Sequence, residues 1–269
     1  MANNSGFIDP KKDILLGAKN FQVWFILAMN DIKQRYARSI LGPIWLSLST
    51  LISILVLSIL YSMVLNIQIE NYPLHLCIGI IVWSYINSII NDSSQCFIQS
   101  DNLIKHFNLP LSIYVYRSCC RNVLIFLHNL PIILCFIIYY KVEIDFKILL
   151  AIFGFFLISF LLINISIVIS IVSSRFRDFP PLLTSLMQIS FFITPVLWTS
   201  DTIILRFPDY KWILDLNPFY HIIEIIRSPL MGNSSSITSW LAVLICSICS
   251  LLLSNYLMRK YRYSVIYWI

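Results

Sequence analysis

Six apolar stretches without a single Asp, Glu, Lys or Arg run through this 269-residue chain: Ile44–Leu65, Leu74–Ile90, Asn122–Tyr140, Ile148–Val172, Leu182–Trp198 and Ile237–Leu257. Each is roughly 17–25 residues long, the length an α-helix needs to cross about 30 Å of hydrocarbon. The flanks between them sort by charge. Counted from the N-terminus, 14 of the 19 Lys and Arg stand on odd-numbered flanks, whereas the 13 acids divide almost evenly. Basic flanks stay in the cytoplasm. The chain is therefore expected to be an all-α membrane protein of six transmembrane helices, with Asn3 and Ile269 inside and Asn71, Glu143 and Ser234 outside.

Composition excludes an ordinary soluble domain. Only 12% of residues are charged, against about 25% in soluble proteins, and the mean hydropathy is +0.80. The net charge of +6 fits the basic bias and anionic lipid headgroups, not nucleic acid. The first twenty residues are polar and lack the short apolar core of a cleavable signal, so the first span is expected to direct insertion. Seven cysteines lie mostly in or beside spans. Cys246-x-x-Cys249 has no second pair or His cluster, which favours small packing residues over a metal, redox or disulfide site.

Ahead of the first span, apolar residues at 21, 24, 25, 28, 32 and 36 share one helical face, opposite Gln22, Asn30, Lys33, Gln34 and Arg38. A basic amphipathic helix over 18–40 is expected to lie along the headgroups. It is either a lipid-surface anchor or a receiver of anionic headgroups through Lys33, Arg35 and Arg38. Gly42-Pro43 then breaks the chain, with Pro43 suited to the first turn of the next helix. The longest inner loop, Asn91–Arg121, contains Asp101-Asn102-Leu103-Ile104-Lys105-His106 behind a polar Ser100. This predicts a short helix, either an ordinary surface turn or a docking element for a soluble partner. In Ser173–Pro181, Arg175, Arg177 and Asp178 read as topology charges with a local ion pair.

Between the fifth and sixth spans, 200–236 is polar yet rich in aromatics, and short re-entrant or amphipathic outer helices are expected there. Asn217-Pro218 followed by Gly232 reads as an N-cap, a first-turn proline and a C-terminal glycine. Phe219, Ile222, Ile223, Ile226 and Leu230 would form one stripe, with Glu224 and Arg227 on another side. Such a helix would lie on or dip into the outer leaflet, as a gate with Tyr220 beside it or as a passive interfacial element. Trp45, Trp198, Trp212 and Trp240 fall at predicted interfaces, where aromatic belts are expected. Trp83 and Tyr85 lie mid-span, and Phe153, Phe155, Phe156 and Phe160 cluster in the fourth span. Trp83, Tyr85, Phe155 and Phe156 are candidates to line a channel, or else they pack against helices and lipid.

No G-x-x-x-x-G-K-[ST] loop occurs, so phosphate binding and ATP hydrolysis by that route are not open to the chain. The spans carry no acid or arginine of the kind used in proton relays. Energy for transport would have to come from another subunit. There is no H-E-x-x-H and no acid pair within a span. A membrane transferase using Asp201, Asp209, Asp215 or Glu224 would lack a partnering His or metal spacing.

Asp31-Ile-Lys-Gln-Arg-Tyr-Ala-Arg-Ser-Ile-Leu-Gly-Pro-Ile-Trp45 resembles the entrance motif of the membrane-spanning permeases of type-2 ABC exporters. The polysaccharide and O-antigen branch (Wzm-like permeases) is the nearest. Asn102-Leu-Ile-Lys…Leu109-Pro110, Arg177-Asp178 through Thr194-Pro195-Val196, and Leu216-Asn217-Pro218…Glu224…Arg227…Gly232 resemble that family's coupling loop, fifth span and outer segment, in the same order. The resemblance implies one permease domain over 1–269, with a six-span bundle over 44–257 and an outer gate over 200–236. It implies a homodimer in the bacterial inner membrane, two cytoplasmic ATPase subunits that bind ATP and Mg, and no cofactor on this chain. The implied cargo is a polyprenyl-pyrophosphate-linked glycan passing between protomers. Lys33, Arg35, Tyr36, Arg38 and Trp45 would receive its headgroup, and Asp101–His106 would meet the ATPase. A teichoic-acid, drug or lipid permease of the same superfamily would share these features.

Overall fold

The computed structural model describes residues 9–10, 12, 13–35, 37, 42, 44–65, 71–143, 145–200, 209 and 211–269. Its elements are α1 (Asp13–Lys19), α2 (Phe21–Arg35), α3 (Ile44–Leu65), α4 (Tyr72–Gln99), α5 (Asp101–His106), α6 (Ser112–Tyr139), α7 (Ile148–Arg175), α8 (Phe179–Ile193), α9 (Lys211–Asp215), α10 (Pro218–Leu230) and α11 (Ile237–Trp268). No strand occurs among the described residues. Among the described residues, five helices (α3, α4, α6, α7 and α11) are long and apolar enough to cross a membrane. The helix α4 forms the centre, flanked by α6, α7, α8 and α3, and α11 packs along α7. Its buried side chains run from Tyr72 and Leu74 to Cys96 and Phe97.

The fifth apolar stretch departs from the expected span. Its helix, α8, covers 15 residues, about 22 Å at 1.5 Å per residue, which is short of the hydrocarbon thickness. Pro195 is the cause: it has no N–H to donate, and it disfavours helical backbone at Thr194, whose ψ of 138° is extended. The chain continues through Thr194–Trp198 as irregular, largely buried backbone.

Two other helices outrun their charge-free stretches. The expected loop Asn91–Arg121 shrinks to Ser100–Leu111 with α5 inside it, because α4 continues to Gln99 and α6 begins at Ser112. Asp92, Arg117 and Arg121 therefore ride on spanning helices. They remain there because they are paired with one another and with Asp31. The helix expected over 18–40 is two helices divided at Asn20, whose amide side chain donates to Leu16 O. Of the expected apolar face, Ala28 and Ile32 are buried while Phe21 and Phe25 are exposed.

The first helix, α1, and the end of α11 meet at one end of the bundle. There Asp13, fully buried, receives Leu111 N at 3.1 Å, Ser112 N at 3.0 Å and Arg262 Nε at 2.5 Å. One carboxylate thus joins α1, the start of α6 and the last turns of α11. It also caps α6, whose first amides and positive dipole end favour an anion. Gly17 lets α1 come this close, since a Cβ there would lie 2.1 Å from Ser112 Oγ.

Candidate functional site

At the opposite end, irregular backbone enters the bundle and its carbonyls need partners, because hydrocarbon supplies none. Side chains from α4 and α10 provide them. Tyr72 donates its hydroxyl to Leu197 O at 2.6 Å, and His75 Nε2 faces Trp198 O at 3.4 Å. Arg227 Nη1 donates to Pro195 O at 2.7 Å, and Asn217 Nδ2 donates to Thr194 Oγ1 at 2.9 Å. Gly79 makes room for the guanidinium, since a Cβ there would stand 2.5 Å from Arg227 Nη2. Glu224 accepts the hydroxyl proton of Ser228 one turn along α10.

The cap signals in the sequence hold. Asn217 Oδ1 accepts from Phe219 N and Tyr220 N, and Gly232 ends the element at φ +82°, a left-handed conformation that glycine adopts without strain. The placement of α10 differs from expectation. His221, Ile222, Ile223, Ile225, Ile226, Arg227 and Ser228 are all buried, so the helix is enclosed between α4, α7 and α11 and does not rest on a surface. Arg227 reaches inward because an unpaired carbonyl lies there, not water. Gly79 sits seven residues into α4, about 10 Å from its start.

Toward the middle of the bundle, a groove of about 490 Å³ opens between α3, α4 and α8. Its polar lining is neutral: Ser84, Asn87 and Gln188, with Trp83, Phe191 and Phe192 supplying aromatic surface. Asn91 and Thr184 extend the same α4 and α8 faces and bond to each other at 2.8 Å. Trp83 packs its ring between Phe191 and Phe219, with centroids 5.6 and 5.4 Å away. The groove is therefore bounded on one side by a side chain in contact with α10. The outer faces of α3 and α8 stay uncovered, with Ile52, Leu55, Val56, Ile59, Leu182, Leu186 and Ile189 all exposed.

The other aromatic candidates lie elsewhere. Tyr85, Phe126 and Phe155 stack together between α4, α6 and α7, with the Tyr85 hydroxyl 2.9 Å from Ser159 Oγ. Phe156 is 66% exposed on the outside of α7. Among the four, only Trp83 borders the groove. Asn87 and Gln188 were not singled out in sequence; a polar residue in an otherwise apolar span was the available signal.

At the termini end, α2 divides its charges. Asp31 turns inward to Arg117 (2.5 Å) and Arg121 (3.0 Å), and Arg121 reaches on to Asp92 (2.8 Å). Lys33 and Arg35 are exposed. Tyr36, Arg38 and Pro43 lie outside the described residues. Gly42 has φ +55°, the left-handed turn ahead of α3, and Trp45 is 54% exposed in the first turn. Nearby, α5 buries Ile104 and exposes Asn102, Lys105 and His106. Lys105 pairs with Asp101 at 2.7 Å and donates to Ile269 O at 3.0 Å. This pair is half-exposed and stabilises by less than about 1 kcal/mol. Leu103 packs partly against the core. The Arg175 guanidinium lies 5.0 Å from the Trp268 ring centroid, an interaction absent from the sequence reading.

Two permease proteins named RfbA of O-antigen export systems, both from Klebsiella pneumoniae, are similar to this chain. One is 26% identical over 254 residues, spanning 91% of this chain and 95% of its own length. The other is 27% identical over 218 residues, spanning 80% and 82%. A protein of the same name from Myxococcus xanthus is 23% identical over 178 residues, spanning 66% and 68%. The family model of the ABC-2 type transporter matches residues 22–231, from α2 to the end of α10. The chain is a multi-pass membrane permease and belongs to the ABC-2 type transporter family.

Proposed function

We propose that the protein is the membrane subunit of an ATP-driven exporter, moving a lipid-linked, O-antigen-like polysaccharide outward across the bacterial inner membrane. The observation that carries this reading is the neutral groove between α3, α4 and α8. Hydroxyl and amide groups can exchange hydrogen bonds with a polyol, and Trp83, Phe191 and Phe192 offer faces for sugar rings. No charged side chain lines the groove among the described residues, which favours a neutral glycan over a polyphosphate such as teichoic acid. The names of the similar proteins support the same cargo. One copy leaves the groove open beside the uncovered α3 and α8. A second copy apposed there would close it into a channel, so the working unit is a homodimer. The basic flanks support a cytoplasmic position for both termini.

ATP hydrolysis is assigned to two separate ATPase subunits, which bind the ATP and Mg and dock on the exposed face of α5. Arg35 and Lys33 receive the pyrophosphate headgroup of the arriving lipid, the planar guanidinium of Arg35 taking phosphate oxygens in bidentate fashion. Tyr36, Arg38 and Trp45 complete this entrance in the proposal. Glu224, Arg227 and the rest of α10 close the outer end.

The docking assignment is tested by reversing charge at Asp101 and Lys105. Each variant is expected to lower ATPase co-purification and cargo-stimulated ATP turnover at least several-fold while the permease still inserts. Unchanged complex formation and export in both variants would remove α5 from the interface.

A further inference from the structure

A second cavity, of about 300 Å³, lies where the end of α1 and the start of α2 meet α6, α7 and the middle of α4. None of its lining belongs to α3 or α8, and no charged side chain lines it among the described residues. Tyr85 and Cys119, both buried, form its floor, while Trp24, Tyr116, Val123 and Ile163 stand partly exposed around it. The cavity therefore opens to the outside of the bundle between α6 and α7, beside Phe156 and Phe160, which are exposed on α7. The side facing α1 is held firmly, because Asp13 binds the start of α6 and Gly17 lies against Ser112 with no space for a Cβ.

The hydroxyls along this cavity have partners. Tyr116 donates to Ile14 O at 3.1 Å, the Tyr85 hydroxyl is 2.9 Å from Ser159 Oγ, and Ser159 donates to Phe155 O at 2.7 Å. Trp24 differs: its Nε1 is buried and has no hydrogen-bond partner among the described residues. An indole N–H can only donate, and a buried one needs an acceptor. The depth of this donor indicates which acceptor is at hand. Trp24 packs on Tyr116 with ring centroids 6.1 Å apart, and Tyr116 stands one turn into α6, about 6 Å from its start. With 28 residues, α6 is about 42 Å long, roughly 12 Å more than the hydrocarbon thickness. Shared between the two ends, that excess puts the hydrocarbon boundary at the level of Tyr116, where Trp and Tyr rings are favoured. Val123, about 17 Å along α6, lies well inside the hydrocarbon.

We infer that this cavity is a phospholipid site: one acyl chain of a diacyl phospholipid enters between α6 and α7, and its ester carbonyl accepts the Trp24 indole N–H. Ester carbonyls stand at the hydrocarbon boundary, and the chain below them matches the apolar, uncharged depth of the cavity. A polyprenyl phosphate matches less well, since its only oxygens belong to an anionic headgroup that would meet no charged partner there. A second copy apposed on α3 and α8 leaves the opening uncovered. The bound lipid ties α2 to α6 and α7, whatever the cargo and whichever subunit supplies the energy.

The test uses the full-length permease, purified and stripped of lipid, with phosphatidylethanolamine as the probe. Native mass spectrometry should show one more phospholipid on the parent than on Val123→Trp, whose indole fills the cavity. Trp24→Phe keeps an aromatic ring and removes the N–H, so it should hold that lipid several-fold more weakly. Cys120 lines the same cavity and is partly exposed, which gives a second readout that needs no filled variant. In a chain whose other cysteines are replaced by Ala, phosphatidylethanolamine should slow modification of Cys120 by an apolar maleimide several-fold. A polyprenyl phosphate at the same concentration should not. Equal lipid uptake by the parent and a folded Val123→Trp would overturn the site, as would a Cys120 rate indifferent to the phospholipid. Unweakened binding by Trp24→Phe, or protection of Cys120 by polyprenyl phosphate alone, would overturn the assignment of the occupant.

Discussion

Asp13→Ala is expected to destabilise the protein by about 3–5 kcal/mol, the cost of removing one partner from a buried ion pair. Arg262, only 2% exposed, would remain as an uncompensated cation, and the first amides of α6 would lose their acceptor. The thermal midpoint of the detergent-purified protein should fall by on the order of 10 °C. Arg262→Met in the same chain should recover a large part of that loss, because removing both charges ends the desolvation penalty. A single variant as stable as the parent would show that Asp13 does not anchor α1 to α6 and α11.

The second large effect lies at the other end of the bundle. Arg227→Ala leaves Pro195 O buried without a donor, which costs about 1–3 kcal/mol, and opens a void against Gly79. Gly79→Ala alone should also destabilise, because its methyl would collide with the guanidinium. Together the two changes should cost less than their sum, since the methyl then occupies space the guanidinium has vacated. Thermal unfolding of the four proteins forms the cycle. Strict additivity would mean that the two residues do not meet, contrary to the placement of α10.

The contrast between these ends explains what could be read from the chain alone. Long charge-free stretches identify α3, α4, α6, α7 and α11, since a polar backbone in lipid leaves helix as the only open solution. The helices α4 and α6 run past the boundaries their charges predict, for a physical reason. Asp92, Arg117 and Arg121 read as loop charges, yet Asp31, 86 residues before Arg117 in sequence, neutralises two of them. Local patterning carries no information about a partner so distant, and Asp13 with Arg262, 249 positions apart, is the extreme case. Asn217-Pro218 and Gly232 were legible because capping is local. Burial of Arg227 was not: its partner is a backbone carbonyl freed by Pro195, and a carbonyl has no side-chain signature. In the groove, Trp83 stood out as a mid-span aromatic, whereas Tyr85, two residues on, faces a different helix pair.

Reconstitution tests the central assignment most directly. The permease and its ATPase partner, placed together in vesicles carrying a polyprenyl-pyrophosphate-linked neutral glycan on the ATPase side, should deliver the glycan to a membrane-impermeant lectin on the other side. Delivery should require ATP and the ATPase, and Arg35→Gln should reduce it strongly with assembly intact. Moving the charge to Gln34 should not restore it. ATP-dependent delivery that ignores the glycan, or that proceeds equally with Arg35→Gln, would contradict the account.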